Sequence, residues 1–184
     1  MLQTYTSAAT SVNAAKLPKV YGKLPPLARN SLVFDYGAGR YTDHIQAALP
    51  GVVYIPYDPF NLPEDVNARA VYYMRCAMRA HMPMTVVCSN VLNVIDSEEA
   101  LQQIAGQIMQ IVYHTGGTAY ITVYEGNRSG VGRQTGPDQW QRNEPLRDYL
   151  RLFPTHAQPL PDGRVALVRS AVERGMIVVR KEVK

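Results

Sequence analysis

The segment Val33-Phe-Asp-Tyr-Gly-Ala-Gly-Arg40 places an aspartate before two glycines that are separated by one residue. Glycine readily adopts positive φ and lets the main chain approach a ligand closely. A helix that begins after such a turn offers free N–H groups and a partial positive charge. Taken alone, the pattern is typical either of a ligand-binding turn or of a tight strand-to-helix turn.

A second acid, Asp58, follows the next apolar segment and lies 23 residues after Asp35. An acid at the end of a second strand can accept hydrogen bonds from both ribose hydroxyls of a nucleoside. The alternative is a solvent-facing carboxylate before a proline turn. Ser89 and Asn90 fall where a third strand should end. Because the carboxyl ends of strands in an open parallel sheet line the ligand crevice, we expect Asp35, Asp58 and Asn90 to converge there.

Short apolar segments that alternate with helical patterns must position these residues. Strands are predicted within residues 31–39, 51–59, 83–95 and 118–126. Helices are predicted over residues 40–49, 64–80, 97 to about 114 (with Ser97 as N-cap) and 143–152. Two final strands, in RVALVRS and GMIVVRKEV, flank Glu173–Gly175 as a hairpin.

This order predicts an α/β fold of three layers, with a mostly parallel sheet and a C-terminal antiparallel hairpin. Residues 31–184 would form this domain. Residues 1–30 would form a basic N-terminal arm, because they carry four bases and no acid. The net charge is −5 over residues 31–125, where four arginines face nine acids, and +5 over residues 126–184, where eleven bases face six acids. Basic ends can attract the phosphates of nucleic acid, although a solvated surface explains the same charges.

Length and composition exclude several classes of protein. A chain of 184 residues with 46% hydrophobic and 18% charged residues fits one globular domain rather than a disordered chain. No apolar run approaches the roughly 20 residues that span a bilayer. The N-terminus has no apolar signal segment, so we expect a cytoplasmic protein without membrane contact. Two cysteines and four histidines, none at metal-ligand spacing, predict neither a disulfide framework nor a metal site.

The motif FDYGAG resembles the first motif of the S-adenosylmethionine-dependent methyltransferases that have a Rossmann-like fold. Asp58 stands where that family holds the ribose, and SNVLNVI falls in its fourth motif. The resemblance implies S-adenosylmethionine as the cofactor. It implies cofactor contacts from Asp35, Tyr36, Gly37, Ala38, Gly39, Asp58, Pro59, Phe60, Ser89, Asn90 and Val91.

A narrower resemblance, to small methyltransferases of phages and mobile elements, rests on DYGAGR, YDPFN, SNVLNVI, and ITVYEG followed by GVGRQT and WQ. Those proteins are related to the methyltransferase-like proteins associated with DNA phosphorothioation. The superfamily resemblance covers about residues 30–150, and the narrower one extends back to Ala15-Lys-Leu-Pro18.

Two departures from the family pattern affect the expected site. Arg40 and Tyr41 follow Gly39 where a third glycine is usual. Only 25 residues separate Asp58 from Met84, whereas the family fold has a helix, a strand and another helix there. One strand is therefore expected to be missing, and it is the strand that normally supplies the adenine contact. That contact would then come from other residues, such as Phe60, Asn61 or Val91.

Methyl transfer from a sulfonium is an in-line displacement, in which an enzyme mainly aligns the acceptor and excludes water. The expected catalytic residues are Tyr124 and Glu125, after the fourth strand, and Asn90. The long polar loop over residues 126–139 is expected to form a substrate lid. Trp140, the only tryptophan, would either stack on a flat acceptor or anchor this loop on the core. The expected substrate-binding residues are Arg133, Thr135, Trp140 and Gln141.

The leading hypothesis is an S-adenosylmethionine-dependent methyltransferase whose acceptor is nucleic acid or a small molecule. SNVL stands where amino-methylating DNA enzymes carry DPPY or NPPF, and no proline precedes Cys88, which argues against an ordinary DNA methyltransferase. The alternative is a non-catalytic methyltransferase-like module that contacts DNA or a partner protein. A third hypothesis is an enzyme that consumes the cofactor without methylating an acceptor. An NAD-binding domain is disfavoured, because D-x-G-x-G differs from G-x-G-x-x-G.

Overall fold

A computed structural model describes residues 3–10 and 16–184, which form a seven-stranded mixed sheet and a separate two-stranded hairpin. The strands of the large sheet are β1 (Leu32–Tyr36), β2 (Val53–Tyr57), β3 (Met84–Ser89), β4 (Thr118–Thr122), β7 (His156–Pro159), β8 (Val165–Glu173) and β9 (Met176–Val183). The hairpin consists of β5 (Arg133–Gly136) and β6 (Gln139–Gln141). The α-helices of the described residues are α1 (Thr42–Ala48), α2 (Glu64–Arg79) and α3 (Glu98–Thr115). The order of the large sheet is β2-β1-β3-β4-β9-β8-β7.

Strands β1 to β4 form the parallel half of the large sheet. β1 pairs with β2 on one side, with Leu32 opposite Val53, and with β3 on the other, with Leu32 opposite Met84. β3 pairs in turn with β4, with Thr85 opposite Thr118. The chain therefore leaves β1 toward one side and later returns to its opposite side. Such a reversal opens a crevice at the carboxyl ends of the two strands, where open α/β sheets bind their ligands.

The C-terminal strands form the antiparallel half of the sheet. β9 lies between β4 and β8 and is antiparallel to both, and β7 pairs antiparallel with β8 at the edge. The predicted C-terminal hairpin is confirmed, with Glu173 opposite Met176 across the turn Arg174–Gly175. The sequence pattern does not predict β7, because its four residues are all exposed and show no apolar alternation.

The strands and helices predicted between residues 31 and 126 are confirmed to within a few residues. Ser97 caps α3 as expected, since its hydroxyl accepts a hydrogen bond from Ala100 N at 3.2 Å. Two predictions beyond residue 126 are wrong in part. The polar loop over residues 126–139 contains β5 and leads into β6, and the helix over residues 143–152 is a 3₁₀ helix over Leu146–Leu152.

Helices cover both faces of the sheet, as expected for a three-layer α/β fold. α2 and α3 pack on one face, where Phe34, Val86 and Ile108 are buried. α1 packs on the other face, where Val33 and Ile45 are buried. No helix of residues 3–10 and 16–184 is long and apolar enough to cross a membrane.

Part of the predicted N-terminal arm belongs to the core. Val20 is fully buried and Tyr21 is 8% exposed, and both lie in the core on the face that α1 covers. The predicted boundary at residue 30 therefore does not separate an arm from the domain. The physical reason is that the segment buries Val20 and Tyr21 in the core, where the Tyr21 hydroxyl forms a hydrogen bond within the domain.

Strand β2 lies at the open edge of the sheet, and α2 connects it to β3. Val53 N donates to Ser31 O, and Tyr57 O accepts from Gly37 N, so these residues of β2 turn their backbone groups toward β1. The backbone N–H and C=O groups of successive residues alternate in direction along a strand. The backbone groups of Pro56 therefore face the open edge. Proline has no N–H to present there.

Candidate functional site

A cavity of about 1250 Å³ lies at the carboxyl ends of the parallel strands. Its walls come from the glycine turn after β1, the turn after β2, the ends of β3 and β4, the β5–β6 hairpin and the N-terminal residues. Every predicted site residue except Glu125 lines this cavity. The fold thus brings together predicted residues from five separate parts of the chain.

The glycine turn has a backbone that other residues would strain. Gly37 and Gly39 have φ values of 76° and 71°, a region that side chains bearing a Cβ rarely adopt. A Cβ added to Gly37 would lie 2.2 Å from Cγ2 of Val91. Gly37 is therefore required for the close packing of the turn against the segment after β3.

The N–H groups of this turn bond within the protein. Gly37 N and Ala38 N donate to Tyr57 O at 2.7 and 3.1 Å. Gly39 N donates to Oδ2 of Asp58 at 2.9 Å. A phosphate cradled by backbone N–H groups, as in dinucleotide-binding turns, would have to displace these acceptors. The arrangement suits a ligand that carries no phosphate at this turn.

Asp58 connects the glycine turn to the turn that follows β2. Its Oδ1 accepts from Phe60 N at 2.9 Å and from Asn61 N at 3.0 Å. Its Oδ2 accepts from Gly39 N at 2.9 Å and from Asn61 Nδ2 at 3.1 Å. A carboxylate has about four lone-pair sites, so these four donors engage all of them. A ribose diol at Asp58 would have to share or replace these bonds.

Asp35 lies at the end of β1 and is 2% exposed. The hydroxyls of Tyr21 and Tyr54 donate to its Oδ2 at 2.5 and 2.7 Å. Burial raises the pKa of Asp35 to about 6, the two hydroxyl bonds oppose this rise, and the charge of Asp58 adds to it. The sequence analysis identified Asp35 but not its tyrosine partners.

The end of β3 supplies a polar edge to the cavity. Asn90 has a φ of 58°, and its N–H donates to Thr122 O at 2.8 Å. Its side chain is exposed and lines the cavity. The hydroxyl of Ser89 accepts from Thr122 Oγ1 at 3.0 Å, which ties the ends of β3 and β4 together. Asn90 is therefore the more accessible residue of this pair, although both line the cavity.

Asn93 is a site residue that the sequence analysis missed. It is 2% exposed; its Nδ2 donates to Gln141 Oε1 at 3.2 Å, and its Oδ1 accepts from Tyr124 N at 3.3 Å. Gln141 also donates to Tyr124 O at 2.9 Å. These bonds fix the backbone that carries Tyr124, whose ring is 64% exposed. The second asparagine of SNVLNVI was the available signal.

Glu125 lies outside the cavity. Its Oε1 accepts from Leu146 N at 2.7 Å, and its Oε2 pairs with Arg128. The hydrogen bond from Leu146 N and the pairing with Arg128 hold the pKa of Glu125 below its ordinary value. Both oxygens are engaged at the start of the 3₁₀ helix, so this geometry does not support the predicted helper role.

Residues 3–10, the N-terminal strap, form part of the cavity wall. Thr6 N donates to Oδ1 of Asp138 at 2.8 Å, and the Thr6 hydroxyl donates to the other carboxylate oxygen. Asp138 lies in the turn between β5 and β6. On the other side, Arg40 donates to Ala8 O at 3.1 Å. The strap therefore links the hairpin to the end of the glycine turn.

Trp140 is held by the N-terminal strap. The ring of Tyr5 stacks on it with centroids 5.7 Å apart and planes inclined by 10°. Trp140 N donates to the hydroxyl of Ser7 at 3.1 Å, and a Cβ added to Gly132 would lie 2.4 Å from the indole ring. These contacts favour the anchoring interpretation of Trp140 over stacking on an acceptor. Arg133 and Thr135, by contrast, are exposed at the cavity.

Comparison with known proteins adds no assignment. The sequence matches no family model, and no curated protein matches it significantly. Within the described residues, no three His, Cys, Asp or Glu side chains are grouped so that they could hold a metal ion. Function must therefore be argued from the geometry of the cavity.

Replacing Asp58 with Asn should lower the free energy of unfolding by about 1–3 kcal/mol, because the amide turns an NH₂ group toward donors in either orientation. Urea denaturation measures this loss. The control is Asp65→Asn on α2, which removes only an exposed ion pair with Arg69 and should stay within about 0.5 kcal/mol of wild type. Equal stability of the two variants would show that the four bonds do not hold the turns.

Asp35 should make stability depend on pH. Its pKa in the folded protein, about 6, lies above the ordinary value of 3.8, so the folded state binds the proton more tightly than the unfolded state. The contribution of Asp35 to the free energy of unfolding should be fully present below pH 4 and should be lost as the pH rises through 6, by at most about 3 kcal/mol.

This fall is measured by urea denaturation from pH 4 to 7 and should be absent in Asp35→Asn. The control Asp43→Asn, at an exposed position of α1, should keep the wild-type profile. Parallel curves for wild type and Asp35→Asn would contradict the raised pKa.

Replacing Asp138 with Ala should loosen the N-terminal strap. Two bonds from Thr6 are lost, so Tyr5 should leave Trp140 more often. Because Trp140 is the only tryptophan, its emission should shift to the red and acrylamide should quench it more strongly. Asp162→Ala, at an exposed carboxylate that pairs with Arg164, should leave both signals unchanged. An unaltered spectrum in Asp138→Ala would mean that the strap is held without this carboxylate.

Proposed function

We propose that this protein is an S-adenosylmethionine-dependent methyltransferase. The observation that carries the proposal is a glycine turn at the reversal of strand order whose N–H groups are already bonded. Such a turn packs closely against a ligand without cradling a phosphate. A nucleoside sulfonium has no phosphate, which distinguishes it from a dinucleotide.

The cavity fits this cofactor in charge. Asp35 is a carboxylate above pH 6 and lines the cavity beside the glycine turn. Its charge favours a cationic group at this end, and S-adenosylmethionine carries both a sulfonium and an ammonium. The Gly37–Val91 contact leaves no room for a Cβ, so it fixes Val91, one of the expected cofactor contacts, against the turn.

The adenine would be held without the strand that the family normally uses. β2 is the edge strand, and α2 follows it directly, in keeping with the predicted loss of one strand. Phe60 is 40% exposed and lines the cavity next to Asn61. We expect the Phe60 ring to stack on the adenine and Asn61 or Val91 to contact its edge.

The size of the cavity supports a reaction between two ligands. Pockets for one drug-sized ligand have volumes of roughly 300–1,000 Å³, whereas this cavity measures about 1250 Å³. Beyond the residues assigned to the cofactor, Tyr124, Arg133 and Thr135 line the wall formed by the end of β4 and the β5–β6 hairpin. This part of the cavity would hold the methyl acceptor, which is nucleic acid or a small molecule.

The cofactor would supply an electrophilic methyl group, whose carbon bonds to the acceptor as the carbon–sulfur bond breaks and sulfur keeps the electron pair. The chain's own residues align and enclose the reactants. Asn90, exposed at the end of β3, can orient the acceptor through its amide. The backbone at Tyr124 is fixed by Asn93 and Gln141, so its ring can present a stable wall to the acceptor.

A second candidate is a non-catalytic module that keeps this fold and contacts DNA or a partner protein. The observation that favours it is the engagement of Asp58, whose four hydrogen bonds leave no free lone-pair site for a ribose. A protein that no longer binds a nucleoside could use the acid only to hold its turns.

Titration calorimetry with S-adenosylmethionine and S-adenosylhomocysteine tests the proposal. Wild type should bind with a micromolar dissociation constant, which corresponds to about −8 kcal/mol. Gly37→Ala should weaken binding at least tenfold, because its methyl group must displace Val91, which lines the cavity. Gly22→Ala, where nothing lies within 4 Å of the added Cβ, should bind like wild type.

Circular dichroism of Gly37→Ala checks that the variant is folded. Absence of binding to folded wild-type protein would overturn the methyltransferase proposal and favour the binding module. Equal affinity in Gly37→Ala would mean that the ligand binds away from the glycine turn.

A further inference from the structure

Four cationic side chains line the cavity without a carboxylate partner. Lys16, Lys19 and Lys23 come from the N-terminal segment, and Arg133 comes from β5. None of them forms an ion pair within the part of the chain that the structure describes, and the ion pairs found there involve other arginines. Lys23 Nζ donates to the backbone oxygen of Arg174 at 3.1 Å, which holds it beside the β8–β9 turn.

The acids of the same cavity offset only part of this charge. The lining contains two carboxylates, those of Asp35 and Asp58. Both accept hydrogen bonds from uncharged groups of the protein, from two tyrosine hydroxyls in one case and from four N–H donors in the other. Four positive charges against two negative charges leave a formal charge of +2 on the lining, and this excess attracts an anion.

We propose that the second ligand of the cavity carries phosphate, bound by Lys16, Lys19, Lys23 and Arg133. This inference rests on the proposed function only in assigning that ligand as the methyl acceptor. Lysine binds phosphate as a point charge, and arginine binds it through its planar fork. Cations supplied by two separate segments suit a ligand with more than one negative charge. A free nucleotide and a nucleic-acid strand share this chemistry.

The position of the cations agrees with two ligands of different charge. The N–H groups of the glycine turn are not free for phosphate, so the anion belongs at another part of the cavity. Arg133 is on the hairpin, next to the other residues of the part that we assign to the acceptor. The acceptor part would thus attract an anionic ligand through Arg133, while Asp35 favours a cationic group beside the glycine turn.

The test compares the variant Lys16→Ala/Lys19→Ala/Arg133→Ala with a matched control, Arg75→Ala/Arg79→Ala/Arg147→Ala. The control also removes three cations, which are exposed, form no ion pair with a carboxylate of the described residues and do not line the cavity. The probes are a fluorescein-labelled 12-nucleotide single strand, followed by anisotropy, and cytidine, cytidine 5′-monophosphate and inorganic pyrophosphate, followed by calorimetry. S-adenosylhomocysteine is titrated into every variant.

The cavity variant should bind the anionic probes at least tenfold more weakly than wild type at 50 mM salt. If the strand binds, the slope of log K against log salt should fall in magnitude by about 2, because three contacts to a single strand are lost. The control should keep wild-type affinity and slope. Binding of the strand would identify nucleic acid as the source, and binding of the nucleotide and pyrophosphate alone would identify a free nucleotide.

The inference is overturned if no phosphate probe binds, if the strand and pyrophosphate fail to bind while cytidine and its monophosphate bind equally, or if the control loses as much affinity as the cavity variant. Its failure is distinguishable from failure of the proposed function. Binding of S-adenosylhomocysteine without binding of any phosphate probe would remove only this inference. Phosphate binding without S-adenosylhomocysteine binding would remove the methyltransferase proposal and leave the anion site.

Discussion

The carboxylate of Asp58 is the interaction on which the shape of the cavity depends most. It accepts hydrogen bonds from a turn that follows β1 and from a turn that follows β2, so it sets the distance between them. The dependence is mutual, since a buried carboxylate is costly without donors. Neither turn can therefore move far without leaving a charge unpartnered. The position of Gly39, and through it the entrance to α1, follows from this constraint.

The two parts of the cavity are built in different ways. The part near the glycine turn rests on buried residues of the parallel strands and on hydrogen bonds of short sequence separation. The other part is formed by the N-terminal strap, which is mostly half-buried, and by the β5–β6 hairpin, which is largely exposed, and the two meet across more than a hundred residues. Segments with few buried contacts open at lower free energy than the core. The part of the cavity that the hairpin forms should therefore adapt more readily than the part beside the glycine turn.

Much of the parallel half could be predicted because its signals are local. Apolar runs ended by glycine or polar residues mark β1 to β4, and the order of acids and glycines identifies the turns that line the cavity. The polar strands β5, β6 and β7 could not be predicted, because their pairing depends on partners and not on apolar alternation. The predicted fold is therefore accurate for the strands whose buried residues form an apolar pattern in the sequence.

The candidate site shows the same division. The positions of Asp35 and Asp58 follow from motif spacing, but their hydrogen bonds do not. Tyr21 reaches Asp35 only because its segment packs into the core. Glu125 was expected at the site because it ends a strand, yet Leu146, 21 residues later, takes one of its oxygens. Contacts of this kind depend on how segments that are distant in the sequence pack together, so local sequence patterns do not reveal them.

Pro56 has a consequence for how copies of this chain meet one another. An edge strand with free N–H and C=O groups is a template for pairing with a strand from another molecule. A short fold that ends its sheet at β2 exposes such a template where a further strand would otherwise cover it. The backbone groups of Tyr54 and Pro56 both face outward by the alternation along β2, and proline removes one of the two donors from the edge. Fewer donors make this edge a poorer template for a strand of another molecule, without the added mass of a further strand.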